Sequence, residues 1–180
     1  QIEPTEWHFS LRDGVVFSNG RPLTAHDVVH SLDYLKTPHG QTTSTARDLS
    51  VISSAYAVDD STVSINTHMP SAILPRIMAA LYIVEPDHWD ALGPDEFARD
   101  PIGSGPFPVE SWEQGQVAYL ANSRSWRAPK IDKIQVLQLP EVTTRLQALI
   151  TGGIDIAIGM GPDDIPLIEA GGGYMHQRNP

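Results

Sequence analysis

Alternating apolar and polar positions open the chain and predict a half-buried strand over residues 7–11. A turn over residues 18–20 follows. Thr24 and Asp27 then have the spacing of a capping box, in which each residue satisfies a free N–H group at a helix start. Apolar residues recur at spacings of three and four over residues 25–35. This pattern predicts an amphipathic helix that buries one face.

A polar stretch and then a pair of β-prone runs follow this helix. Residues 37–47 are rich in Thr, Ser, Gly and Pro and poor in apolar side chains, which predicts a loop. Two β-prone runs follow, at residues 51–58 and 62–66, and they flank the turn residues 59–61. This arrangement predicts a β-hairpin.

The next elements are shorter. Ser71 is placed to cap a helix over residues 71–80, and the apolar run 81–84 predicts a strand. Pro86 favours the first turn of a helix that continues through residue 92. Residues 100–106 contain too much Pro and Gly for regular structure, so we expect a subdomain boundary there.

The last third of the chain alternates between strand and helix patterns, which indicates an α/β construction. The pattern predicts a hairpin at 107–112 and 116–121, strands at 131–137, 154–158 and 173–177, and helices at 141–150 and 162–170.

Composition narrows the class of protein. Apolar residues make up 41% of the 180 residues, which is enough for a packed core. A formal charge of −10 repels phosphate backbones, so we expect no nucleic-acid partner. Cysteine is absent, which excludes disulfides and thiolate metal sites. No apolar run is long enough for a membrane span, and no leader pattern occurs, so any export signal would lie outside this sequence.

Three short motifs resemble catalytic or cofactor signatures. His26 and His30 stand four residues apart on one helix, as in zinc hydrolases, but an aspartate replaces the glutamate and no third ligand stands out. Residues 103–105 lack the spacing of a serine-nucleophile elbow, and residues 159–162 lack the third glycine of a dinucleotide fingerprint. A zinc hydrolase using His26 and His30 stays an alternative, and a solvated polar face is the simpler interpretation.

A resemblance extends over nearly the whole chain. Its segments are the run from Trp7 to Leu32 (WHFSLRDGVVFSNGRPLTAHDVVHSL), the Pro101–Phe107 run PIGSGPF, Asn122 with Trp126, the PKID run at 129–132, and residues 143–157. In this order they resemble the family 5 extracellular solute-binding proteins, which include oligopeptide, dipeptide and nickel binders. His26, Ser125 and Gly153 depart from the family pattern, which leaves the identity of the ligand open.

The resemblance implies the α/β fold of periplasmic binding proteins of the class II type, in partial form. Residues 1–102 would form the small α/β subdomain of the family, and residues 103–180 would form part of ligand-binding lobe I. The second lobe would be absent from this sequence. In such proteins two lobes close on a solute that contacts both of them.

The function implied is that of the substrate-binding component of an ABC importer, not an enzyme, with no cofactor and no bound metal. Its partners would be a peptide or similar small solute and a membrane permease, and it would be a monomer at full length. It would act in the periplasm or outside the cytoplasmic membrane, with a lipid anchor as one option. A structural module that binds no solute is the remaining alternative.

Three residues are candidates for ligand binding. They are Tyr82, at the start of the predicted strand after the second helix, and Thr45 and Arg47 in the polar loop. The competing interpretation is structural: a packed tyrosine and exposed loop groups.

Overall fold

The computed structural model describes residues 1–174 and shows a mixed α/β architecture. In chain order the elements are β1 (Glu6–Ser10), α1 (Ala25–Tyr34), α2 (Ser44–Asp48), β2 (Ile52–Asp59), β3 (Thr62–Thr67), α3 (Leu74–Ile77), α4 (Pro86–Phe97), β4 (Val109–Glu113), β5 (Gln116–Leu120), β6 (Lys133–Leu137), α5 (Val142–Ile150) and α6 (Ile165–Ala170). Short 3₁₀ turns occupy Gly40–Thr42, Met78–Ala80 and Pro162–Asp164.

Two compact units make up the chain. The first consists of Gln1–Trp112 and Ala118–Ile134, and the second of Glu113–Val117 and Gln135–Pro180. The two units divide the chain at residues other than 102. The subdomain boundary that we expect at residue 102 stays a prediction.

An antiparallel sheet with the strand order β1-β3-β2 organises the first unit. β3 lies in the middle, where Ile65 is opposite Trp7 on one side and Ala55 on the other. The β2–β3 hairpin confirms the prediction for residues 51–66. Its turn is held by Asp59, whose carboxylate accepts hydrogen bonds from the amide and the hydroxyl of Ser61 at 2.8 and 2.9 Å.

Helix α1 covers this sheet. It begins after Thr24 as predicted, because the Asp27 carboxylate accepts a hydrogen bond from the Thr24 amide at 2.7 Å. Its apolar face enters a core of fully buried side chains. These are Ala25, Val28, Leu32, Leu49, Val63, Ile65 and Leu74. The apolar face of α1 and the inward-facing side chains of β3 therefore pack into one hydrophobic core.

Helix α2 corrects the prediction of a loop over residues 37–47. A 3₁₀ turn and α2 lie within or across that stretch. The Thr43 hydroxyl accepts a hydrogen bond from the Ala46 amide at 3.2 Å and so caps α2, while Leu49 just beyond it is buried in the core. A cap and one apolar anchor are enough to order a short polar segment.

The predictions for residues 71–84 are partly wrong. The helix expected over 71–80 is reduced to α3 and a 3₁₀ turn, and Ile73 rather than Ser71 precedes it. Residues 81–84 run without strand pairing. Leu81 and Ile83 pack against the core, and the Val84 amide donates a hydrogen bond to the Ser31 hydroxyl at 3.1 Å.

Helix α4 begins at Pro86 as predicted and extends beyond residue 92 to Phe97. The Glu85 carboxylate accepts a hydrogen bond from the His88 amide at 2.7 Å and caps its first turn. Gly93 interrupts the helix with a φ of 73°, and Pro94 opens the following turn. A left-handed backbone followed by a fixed φ explains why the helix kinks here.

A second three-stranded sheet has the order β4-β5-β6, which confirms the hairpin and the strand predicted at 107–137. Helix α5 ends at Ile150, and the predicted terminating glycine, Gly152, follows the cap residue with a φ of 71°. The strand predicted over 154–158 is wrong, because these residues form no strand. The helix predicted over 162–170 appears as a 3₁₀ turn followed by α6. Of the strand predicted at 173–177, residues 175–177 lie outside the described residues, and 173–174 are not in a strand.

Within residues 1–174, none of the helices combines the length and the apolar content that crossing a bilayer requires.

Candidate functional site

A small pocket in the first unit contains two of the three candidate residues. We call it the Tyr82 pocket. Its volume is about 180 Å³, and its lining residues are Ser31, Tyr34, Leu35, Thr43, Thr45, Leu81, Tyr82, Val84 and Trp89. The C-terminal half of α1, the start of α2, the unpaired segment 81–84 and the first turn of α4 each contribute a wall.

The hydroxyl of Ser31 holds the wall that carries Tyr82. It donates to the Asp27 carbonyl oxygen at 2.8 Å within α1 and accepts from the Val84 amide at 3.1 Å. Ser31 is itself buried. The segment 81–84, which no strand supports, is thus fixed to α1 two residues from Tyr82.

Aromatic side chains form the opposite wall. Tyr34 and Trp89 meet edge to face with 4.6 Å between ring centroids, and Trp89 meets Phe97 in the same way at 4.8 Å. Such pairs are favourable beyond the area that they bury. They hold α1 and α4 together at the pocket and leave a rigid, largely apolar surface.

Tyr34 also brings a polar group to this wall. Its hydroxyl lies 2.6 Å from Nδ1 of His39. Burial raises the pKa of the Tyr34 phenol, and the Asp95 carboxylate raises it further. The phenol therefore stays neutral at physiological pH and keeps its proton for hydrogen bonding.

The three predicted residues do not lie together. Tyr82 and Thr45 line the same pocket, and 80% of the Tyr82 side chain is exposed, so it is not the packed tyrosine of the structural interpretation. Arg47 lines a different cavity of about 460 Å³, which we call the Arg47 pocket. Sequence reasoning missed Tyr34 and Trp89, although Tyr34, an aromatic residue just before the polar loop, was a usable signal.

A buried charge network supports the framework next to the Tyr82 pocket. Arg21 lies 2.9 Å from an Asp27 oxygen and 3.3 Å from a Glu85 oxygen. Both carboxylates are almost fully buried, and each also caps a helix. Because their oxygens are already bound, they are not available as a general acid or base.

The His26 and His30 pair does not form a shared site. His26 faces Asp60 at 3.7 Å, and His30 faces Asp90 at 3.2 Å, so the two imidazoles pair with different segments. The described part of the chain has no group of three or more His, Cys, Asp or Glu side chains arranged to hold a metal ion. The geometry of residues 1–174 thus gives the zinc-hydrolase alternative no support.

Comparison with known proteins gives one consistent family. Residues 2–180 match the family model described as bacterial extracellular solute-binding proteins, family 5 Middle. The probable D,D-dipeptide-binding periplasmic protein DdpA of Escherichia coli K12 is 29% identical over 173 residues, which cover 91% of this chain and 33% of DdpA. The HTH-type transcriptional regulator SgrR of Escherichia coli K12 is 32% identical over 79% of this chain and 24% of SgrR.

The structural comparison agrees. The binding protein MoaA from A. tumefaciens R10, solved with mannopinic acid, superimposes with a TM-score of 0.76 at 32% identity, covering 84% of this chain and 31% of MoaA. The chain therefore spans about a third or less of the length of these relatives.

Proposed function

Since the chain belongs to the family 5 bacterial extracellular solute-binding proteins, we propose that it forms part of the substrate-binding component of an ABC importer. Its task there is to help capture a peptide or similar small solute outside the cytoplasmic membrane, in the periplasm or on a lipid anchor. A permease is the membrane partner, and the full-length binding protein acts as a monomer. Family and fold are those of binding proteins, and we extend this to the chain itself: it is not an enzyme.

The observation that carries the proposal is the Tyr82 pocket. Its wall is largely apolar and aromatic, and the polar residues Thr45 and Tyr82 are among its lining residues, which is the usual composition of a small-molecule site. Its volume of about 180 Å³ is below the range of roughly 300 to 1,000 Å³ for complete ligand pockets. We infer that it holds one apolar portion of the solute and not the whole molecule.

The lack of charged side chains in its lining restricts which part of a solute the Tyr82 pocket binds. Its lining residues include no Asp, Glu, Lys or Arg. The dipeptide named for DdpA and the mannopinic acid bound by MoaA are both carboxylic acids. A carboxylate of such a solute gains little from this pocket, because a charge is stabilised by a partner of opposite sign. We propose that the solute's charged groups bind to other parts of the full-length protein.

Calorimetric titration of the family-length protein with peptide and opine libraries tests the proposal. We expect Tyr82→Ala to weaken the solute found in this way by about tenfold, the usual cost of truncating an aromatic contact residue. Thr45→Val, which removes only the hydroxyl, should cost a smaller factor of about threefold.

Tyr174→Ala is the matched control, because this tyrosine is exposed to 88% and is not among the residues that line the pocket. Unchanged affinity in Tyr82→Ala would refute the pocket assignment. The absence of any bound solute from the full libraries would instead refute the solute-binding role and favour a structural module.

The likeness to SgrR raises a second possibility, that a solute-binding segment of this family serves a transcriptional regulator. The acidic balance of −10 does not favour DNA contact by this segment itself. Sequencing the gene on both sides distinguishes the two roles, since an importer component would carry an export signal and a regulator would carry a helix-turn-helix domain.

A further inference from the structure

The Arg47 pocket has the size and the walls of a ligand site. Its volume is about 460 Å³, which lies within the range of small-molecule sites. It is lined by Leu32, Leu35, Lys36, Gln41, Ala46, Arg47, Leu49, Ser50 and Ile52. Four of these are aliphatic side chains belonging to or packed against the core of the first unit. A ligand in this pocket would therefore rest on a well-supported apolar surface.

The pocket is also positively charged. Its lining includes two cations and no acidic residue. Lys36 is paired with Asp33 at 2.8 Å, whereas in the described part of the chain Arg47 has no carboxylate within 4.0 Å and makes no side-chain hydrogen bond. Arg47 is exposed, and other arginines of the described chain, such as Arg76, also lack a carboxylate partner, so what distinguishes Arg47 is its place in the lining of this cavity. A guanidinium has a fixed set of donors that matches a carboxylate in a bidentate manner.

From these two properties we propose that the Arg47 pocket is a second small-molecule site, which binds an amphipathic monocarboxylate of about six to eight carbon atoms. The carboxylate binds to the Arg47 guanidinium. The alkyl chain packs on Leu32, Leu35 and Leu49 and loses contact with water. This proposal does not depend on the solute-binding role, because the Arg47 pocket and the Tyr82 pocket lie on different residues of α2.

Titration of the isotope-labelled chain with octanoate, followed by NMR, tests the proposal. Octanamide is the matched neutral probe, because it has the same alkyl chain and no charge. We expect octanoate to shift the amide signals of Gln41, Arg47 and Ser50 saturably, and to bind about fivefold more tightly than octanamide, as a partly exposed ion pair allows.

Arg47→Gln should remove this difference and leave octanamide binding unchanged. Arg76→Gln is the control, since Arg76 is an exposed arginine that does not line the pocket. Ser50→Leu, which adds a larger side chain to the lining of the cavity, should weaken both probes.

Three results would overturn the proposal. Equal affinity for octanoate and octanamide would show an unspecific apolar surface. A preference for octanoate that survives Arg47→Gln would place the cation elsewhere. Signals that shift around Tyr82 and Trp89 instead would assign the probe to the other pocket.

Discussion

Arg21 shows how a single side chain connects distant parts of this sequence. Its guanidinium lies within ion-pair distance of Asp27 and Glu85, which cap α1 and α4. The local half of this arrangement follows from the sequence, because Thr24 and Asp27 have the spacing of a capping box. The distant half does not, since nothing in the residues around position 85 indicates which cation they meet. Long-range ion pairs depend on the packing of complete elements.

Removing Arg21 should therefore destabilise the first unit strongly. Arg21→Met leaves two buried carboxylates without their cation, and we expect a loss of about 3 kcal/mol in the free energy of unfolding, measured by denaturant titration. Arg76→Met, at an exposed position, should cost less than about 0.5 kcal/mol. Adding Glu85→Gln to Arg21→Met should recover part of the loss. If the double variant is less stable than Arg21→Met by the full cost of a lost cap, the charge-network explanation is wrong.

At the scale of elements, the sequence predicts those helices and strands that are stabilised by interactions between residues close together in the chain. Helix α1 and the β2–β3 hairpin appear at their predicted places because a cap, a turn and a periodic pattern all lie within them. The sequence does not predict helix α2, because Thr43 is one of several Thr and Ser residues in a polar stretch and does not stand out as a cap. Segment 81–84 was predicted as a strand because its side chains are apolar, but it is held without a neighbouring strand, by Leu81 and Ile83 against the core and by the Ser31 hydroxyl. The apolar composition of a segment indicates that its side chains are buried. It does not indicate which group accepts the hydrogen bond of each backbone amide.

Ser31→Ala should loosen the segment that carries Tyr82. The substitution removes the hydroxyl that accepts from the Val84 amide, so a partly buried N–H loses its partner at a cost of about 1 kcal/mol. Hydrogen exchange should show faster exchange at Val84, with smaller changes in the β2–β3 hairpin. Ser44→Ala, at an exposed serine in α2, is the control. Unchanged protection of Val84 would contradict this role of Ser31.

For the molecule as a whole, the family was accessible from the sequence and the site was accessible only in part. Framework motifs such as the cap of α1 and the Gly-Pro turns identify the family, and their residues are not among those that line the pockets. Tyr82 and Thr45 were predicted individually, but their shared pocket depends on how α1, α2 and α4 pack. The strand predicted over 154–158 shows the same limit. Its alternating pattern requires a neighbouring strand, and none of the described residues provides one.

The side chains of Ile156 and Ile158 are consequently exposed to 81% and 82%. We expect the 180-residue chain to bind the dye ANS through this surface, and Ile156→Ser with Ile158→Ser to reduce the fluorescence by about half or more. Ile73→Ser, at an exposed isoleucine of the first unit, should have a smaller effect. In a family-length protein the double substitution should instead destabilise the fold, by about 1 kcal/mol or more for each residue. Equal ANS binding by all variants would show that the dye binds elsewhere.

Helix α2 has five residues and is part of both pockets. Thr45 faces the Tyr82 pocket, Ala46 and Arg47 face the other, and Leu35 of the adjoining helix end lines both. A ligand that displaces α2 to fit one cavity also moves residues that line the other cavity. Thermodynamic linkage then requires the effect to be mutual: a carboxylate that strengthens or weakens solute binding must have its own affinity altered by the solute by the same factor. Titration of either ligand in the presence of the other would therefore measure the same coupling factor.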